Sequence, residues 1–277
     1  GGRNVLLAGL DGVPRRGMVS VNGEQYNVGA TARLTRDEDG RLVVKVFVSF
    51  IESPSTRIFK FIFYRSAAGA LREETGMEFL SMEAATNDRA RIEKAFAAAQ
   101  ALGIPLVNIG PGGSAAEGEE SLQKQLAMIC DFAALAKTYG VTLGVKAHVG
   151  AAVYNTPTTL RMMEASADVG VDMDPSHIYR AGEKPEEAIN LVISRVKHVH
   201  IRDCKGPGPS PGDPMNQACG RGDINLFGYF KVLVENHYDG PVCLEVIGPE
   251  QDVADAMAIA SESYGYMNAV LKMLGAR

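Results

Sequence analysis

Two patterns of apolar and polar positions divide the chain. From residue 77 onward, short apolar runs alternate with longer segments whose apolar residues recur at helical spacing. EFLSMEAA (78–85) reads as a strand, and Asp88 to Gly103 as a helix with Ile92, Phe96 and Ala99 on one face. IPLVNIG (104–110) is the next strand. A helix from Glu120 to Gly140 follows, with Leu126, Ile129, Phe132, Ala133 and Ala136 at i, i+3 and i+4 positions. VTLGVKAHV (141–149) precedes a helix opened by Thr156-Pro157, and VGVDMD (169–174) precedes one beginning near Pro185. VKHVHIRD (196–203) leads to a helix near Leu226, and VCLEVIG (242–248) to a closing helix. Parallel neighbours need a crossover, and here every crossover is helical, so the pattern predicts an α/β fold with a parallel sheet.

Such a sheet closes as a (β/α) barrel or stays open and doubly wound. His148, His177, His198 and His200 lie at or just past the ends of three successive strands, and only His237 of the five histidines lies elsewhere. Polar residues ending several strands are what a barrel active site needs. We therefore expect a TIM-type barrel over residues 76–277 in which the third to eighth strands are recognisable. The first 75 residues obey a different rule. YNVGATARLT, RLVVKVFVSF and RIFKFIFY read as three strands, with Asp39-Gly40 as a hairpin signal between the first two. Residues 1–75 are thus expected to form a small antiparallel β module.

Composition narrows the class. With 277 residues, 46% of them hydrophobic, the chain can bury a large core. A net charge of -5 leaves no basic footprint for nucleic acid. The four cysteines form no C-x-x-C pair and are read as reduced. No apolar stretch is long enough for a membrane span, and a cytoplasmic setting is expected.

The chemistry concentrates at the strand ends. His198 and His200 share a face because side chains alternate along a strand. Asp174 and His177 close the previous strand as DPSH, and Glu245 lies in CLEV. One histidine, His200, and two carboxylates, Asp174 and Glu245, from three adjacent strands make an oxygen-rich divalent site suited to Mn²⁺, Mg²⁺, Co²⁺ or Zn²⁺. Glu83, Asn108, Arg202 and Asp203, near strand ends, are candidate substrate contacts. Asp223 is read as the cap of the helix near Leu226. The Pro-Gly-rich stretch from Lys205 to Gly220 is long for a βα connection and reads as a lid.

DPSH, HVHIRD, GRGDINLFGYFKVL and YDGPVCLEV, in this order, resemble the xylose isomerase-like superfamily over roughly residues 77–277. Its members include sugar phosphate isomerases and epimerases, inosose dehydratases and an endonuclease branch. The resemblance implies a TIM barrel with one divalent metal held by Glu, Asp, His and Glu, the last three falling on Asp174, His200 and Glu245. Where the first Glu belongs, in an L-E-x-H pattern, this chain has Val145-Lys146-Ala147-His148. A protonated lysine cannot ligate a cation. The metal then persists on Asp174, His200, Glu245 and His148, or Lys146 replaces it as the electrophile, or the site no longer catalyses. The first reading is the working expectation.

The function expected from this is metal-assisted proton abstraction beside a carbonyl of a sugar or polyol, by an isomerase or epimerase. Glu245 is the base, and His177, or Lys146 if its pKa is lowered, returns the proton; His148 is a further substrate contact. A lyase using the same enolate, either a dehydratase or a C-glycoside-cleaving enzyme, is the alternative. A non-catalytic sugar-binding or assembly subunit is the rival from another class. Because two barrel units are missing at the front, a homo-oligomer is expected to cover the exposed strand edges.

Overall fold

The computed structural model describes residues 15–21, 24–36, 42–50, 56–63, 78–249 and 252–277. The chain divides into two compact units, Gly1–Glu78 and Phe79–Arg277.

The first unit holds a four-stranded antiparallel sheet in the order β1-β2-β3-β4, formed by Arg15–Val21, Glu24–Arg36, Leu42–Phe50 and Thr56–Phe63. Its strand segments are rich in β-branched and aromatic residues, as in LVVKVFVSF. Strand β1 is additional to the three expected from sequence. Val21 pairs with Glu24, and the two residues between them in the chain are Asn22-Gly23, the dipeptide most favoured in two-residue hairpins. That signal goes unused above. The proposed Asp39-Gly40 turn lies outside the described residues.

The second unit holds six parallel strands in sequential order: β5 (Met82–Glu83), β6 (Leu106–Ile109), β7 (Thr142–Lys146), β8 (Val169–Met173), β9 (Val196–Ile201) and β10 (Val242–Leu244). Sequential order with helical crossovers is barrel topology, and a doubly wound sheet would reverse direction at a switch point. The helices are α1 (Arg89–Leu102), α2 (Gly118–Thr138), α3 (Thr156–Ala165), α4 (Pro175–Arg180), α5 (Pro185–Val192), α6 (Leu226–Glu235) and α7 (Val253–Met273). None of them is long and apolar enough to cross a membrane.

Local chemistry sets the helix ends. Asp88 caps α1 by accepting from the Arg91 N–H at 2.9 Å, and Gly103 ends it at φ 67°. Asn155 and Thr158 form a capping box at α3. The cap of α6 is Asn225, which accepts from the Gly228 N–H at 3.0 Å, and not Asp223. Asp223, two residues before the cap, instead accepts from the Gly206 N–H.

Strand alternation sorts the side chains. Val107, Ile109, Leu143, Val145, Val171, Met173, Val199 and Ile201 join Ile92, Phe96, Ile129 and Phe132 of the helices in one buried core. The alternate residues form the other, polar face: Glu83, Asn108, Lys146, Asp172, His198 and His200. Between β8 and β9 the register shifts. Val171 pairs with Val196 but Asp172 with His198, so Lys197 is extra and its side chain lies against Gly170.

Gly144 lies on this polar face opposite Asn108. A Cβ there would meet Asn108 Oδ1, and would come within 3.2 Å of its Cγ and 3.3 Å of Leu106 Cδ1. We therefore expect Gly144→Ala to destabilise the fold by about 1–3 kcal/mol through overpacking. Urea midpoints of wild type and variant check this, and an unchanged midpoint would show that Asn108 yields freely.

Candidate active site

The polar face carries a dense charge network. Lys146 Nζ lies 3.2 and 3.3 Å from the two Glu245 carboxylate oxygens and 3.4 Å from Glu83 Oε1, on a side chain only 6% exposed. Burial acts to lower its pKa, but Asp172, Glu245, Glu83 and Asp174 outweigh burial and hold the pKa above the ordinary lysine value. The ammonium is therefore permanent at neutral pH. The proton-returning role considered for Lys146 needs the opposite shift.

Arg202 is the second fixed cation. Fully buried, it donates from Nη2 to Asp174 Oδ2 at 2.7 Å and from Nε to Ser176 Oγ at 2.6 Å. Its Nη1 lies 3.3 Å from Glu245 Oε2 yet makes no hydrogen bond. Asp174 also caps α4, accepting from the Ser176 N–H and hydroxyl on Oδ1. Burial pushes the Asp174 pKa up, but Arg202 and its other partners bring it below the ordinary value.

A third element is absent from the sequence reading. Asp172, fully buried, accepts from His198 Nδ1 at 2.9 Å and from His200 Nδ1 at 2.9 and 3.0 Å. The two imidazoles pack with centroids 4.5 Å apart and their planes tilted by 55°. His200 Nε2 meets Glu83 Oε2 at 3.1 Å, so its ring bridges two carboxylates. Burial disfavours a charged His200, but the hydrogen bonds to Asp172 and Glu83 prevail and push its pKa up to about 10. Asp172 is held well below the usual carboxylate range against its burial, by the same two histidines. The signal for Asp172 was available, since it shares a face with Asp174 by the same alternation that pairs His198 with His200.

The other expected residues fall in different places. A cavity of about 430 Å³ is lined by Glu83, Lys146, His148, His177, Arg202 and Glu245, together with loop residues after β5 and β6. His148 and His177 stack at 4.0 Å. His177 has its pKa lowered to about 3, by burial first, and Arg180 and Arg202 approach its two ring nitrogens at 2.8 and 2.9 Å. A neutral imidazole accepts at one nitrogen only, so none is left for a proton exchange with substrate. Asn108 is buried, with Oδ1 unpartnered, and does not line the cavity. Asp203 accepts from the Cys204, Gly220 and Ile224 N–H groups, so its carboxylate organises the 203–224 turn and is absent from the cavity wall. The Lys205–Gly220 loop is tied down by Gln217, which bonds to Ile247 N and O, and by Arg180 on Pro209 O.

Two groups among the described residues bring ligand atoms within 4.8 Å of one another and could hold a metal ion: Asp172, His198 and His200, and Glu83, His200 and Glu245. Neither includes Asp174 or His148. In the first, both histidines point Nδ1 at one carboxylate. In the second, the Lys146 ammonium already rests on both carboxylates, and His200 Nε2 lies 3.1 Å from Glu83 Oε2. As arranged, these donors do not fit a divalent ion unless Lys146 leaves.

Fold and site together define a (β/α)-barrel protein with an acid–base cluster at the C-terminal ends of its strands. A family model described as xylose isomerase-like TIM barrel matches residues 52–266, and the chain belongs to that family. Among curated proteins it is similar to inosose dehydratase of Clostridium perfringens, at 31% identity over 145 residues, covering 44% of this chain and 45% of that protein. The chain spans about half the length of the curated relatives it matches. Among solved structures, L-ribulose 3-epimerase superposes with a TM-score of 0.63 at 15% identity, covering 76% of this chain and 81% of that one. The IOLI protein with a binding zinc atom gives 0.63 at 17%, covering 76% and 82%. At these identities the structural likeness establishes the fold.

Removing the Asp172 charge should expose its weight. Asp172→Asn removes the buried carboxylate that both histidines share, and we expect a loss of about 3–5 kcal/mol in equilibrium denaturation. A loss below ~1 kcal/mol would mean that water screens the pair.

Proposed function

We propose that the barrel unit is an enolising enzyme of the isomerase or epimerase type, acting on a neutral sugar or polyol. The observation that carries this is a half-buried carboxylate, Glu245, held at the cavity wall beside two fixed cations, Lys146 and Arg202. In this reading residues 76–277 form the catalytic barrel, and residues 1–75 a separate β module.

Glu245 takes the proton from the carbon next to the substrate carbonyl. The C–H electron pair moves toward the carbonyl, and the oxygen that gains charge faces the Lys146 ammonium and the Arg202 guanidinium. The proton returns from Glu245 or from Glu83, which replaces His177 in that role because both His177 nitrogens are occupied. Glu83, Asp172, Asp174 and Glu245 already balance the nearby cations, which leaves no spare positive charge for a phosphate and favours a neutral substrate.

Elimination is the second reading, favoured by the curated relatives named inosose dehydratase. The same enolate formed by Glu245 would then expel a leaving group from the next carbon.

Incubation of the full chain in D₂O with neutral aldoses, ketoses and inososes tests the proposal. We expect NMR to show deuterium entering the carbon beside the carbonyl, with Glu245→Gln slowing exchange by about 10²–10⁴-fold. Loss of a leaving group during exchange identifies the lyase. Saturable binding without any exchange would instead make the chain a sugar-binding subunit.

A further inference from the structure

Lys146 occupies an unusual position for a lysine. Its side chain is nearly sealed from solvent, and its Nζ contacts both carboxylates of the only donor group among the described residues that contains Glu245. Arg202, 1% exposed, is also among the residues lining this cavity, and its Nη1 lies 3.3 Å from Glu245 Oε2 without a hydrogen bond, a donor left to meet an incoming oxygen. We infer that the ammonium of Lys146 and the guanidinium of Arg202 together are the electrophile of this site, in the place a divalent ion would take, so that the chain neither needs nor binds such an ion there. This rests on the enolising function proposed above.

The charges and distances support the assignment. A divalent ion bound by Glu83, His200 and Glu245 would stand close to Lys146, whose Nζ lies 3.2 Å from Glu245 and 3.4 Å from Glu83, and like charges at that range repel. On proton abstraction by Glu245, the electron pair ends on the carbonyl oxygen, and its charge is neutralised by N–H donors already in place. No oxidant, reductant or co-reactant enters the step.

The test is a titration of the metal-stripped full chain with Mn²⁺ alone, followed by electron paramagnetic resonance and by thermal melting. For wild type we expect no saturable binding up to ~1 mM and no rise in melting temperature. Lys146→Glu removes the ammonium and adds an oxygen ligand, and should bind one Mn²⁺ at least ~100-fold more tightly than that limit, with stabilisation. Lys146→Gln, a neutral replacement that keeps the packing if the glutamate variant folds poorly, should bind more weakly than Lys146→Glu but above wild type. Stoichiometric Mn²⁺ on wild type overturns the inference, and so does failure of both folded variants to gain binding. The deuterium exchange assay keeps the two claims apart. Exchange that survives chelation by EDTA supports both. Exchange lost to EDTA and restored by Mn²⁺ overturns the metal-free electrophile and leaves the enolising function standing.

Discussion

Two aspartates buried side by side on one strand face set the terms for everything around them. Asp172 and Asp174 are both fully buried, and an ionised carboxylate out of water costs several kcal/mol unless it is paired and hydrogen-bonded. Each is answered differently. Asp172 takes two imidazole donors; Asp174 takes a guanidinium, a hydroxyl and a helix amide. The answers then constrain the next layer. Holding Asp174 fixes Arg202 in a single orientation that leaves one edge toward the cavity. Holding Asp172 keeps His200 protonated and turns its far nitrogen toward Glu83.

A site assembled this way is organised before any ligand arrives. The donors that would meet a growing negative charge are held by buried anions, and little reorganisation is asked of them during reaction. The same logic separates the two histidine pairs. His198 and His200 share a carboxylate, whereas His148 and His177 lie among arginines, and burial keeps His177 neutral. The site thus holds imidazoles in opposite charge states, His200 on β9 and His177 on α4.

Much of this was legible before the coordinates. Long helices with three or more apolar residues on one stripe, such as α1 and α2, announce themselves through a repeated period, and the strands between them follow. The six-residue α4 does not, although Asp174-Pro175 is an N-cap followed by a first-turn proline, because one turn offers no period to detect. Within the site, the placement of Glu83, Lys146, His200 and Glu245 on one face follows from counting by two along each strand. What the carboxylates hold does not follow from counting. Whether Asp174 meets an ion or Arg202, and whether Asp203 meets a ligand or the three amides of its own turn, depends on neighbours 17 to 28 residues away in the chain. Asp172 follows from the same alternation, two residues before Asp174 and on the same face.

The extra residue at position 197 bears on how this site tolerates change. Lys197 interrupts the pairing of β8 with β9, yet Val196 lies opposite Val171 and His198 opposite Asp172, so losing Lys197 alone would close the bulge and keep every facing. Losing Val199 would leave the composition of the strand nearly intact while turning His200 and Arg202 toward the helices and Ile201 toward Asp172. The chemistry of the site is therefore stored partly in the length of a strand, and a lineage could lose it through a single codon that encodes none of the reactive groups.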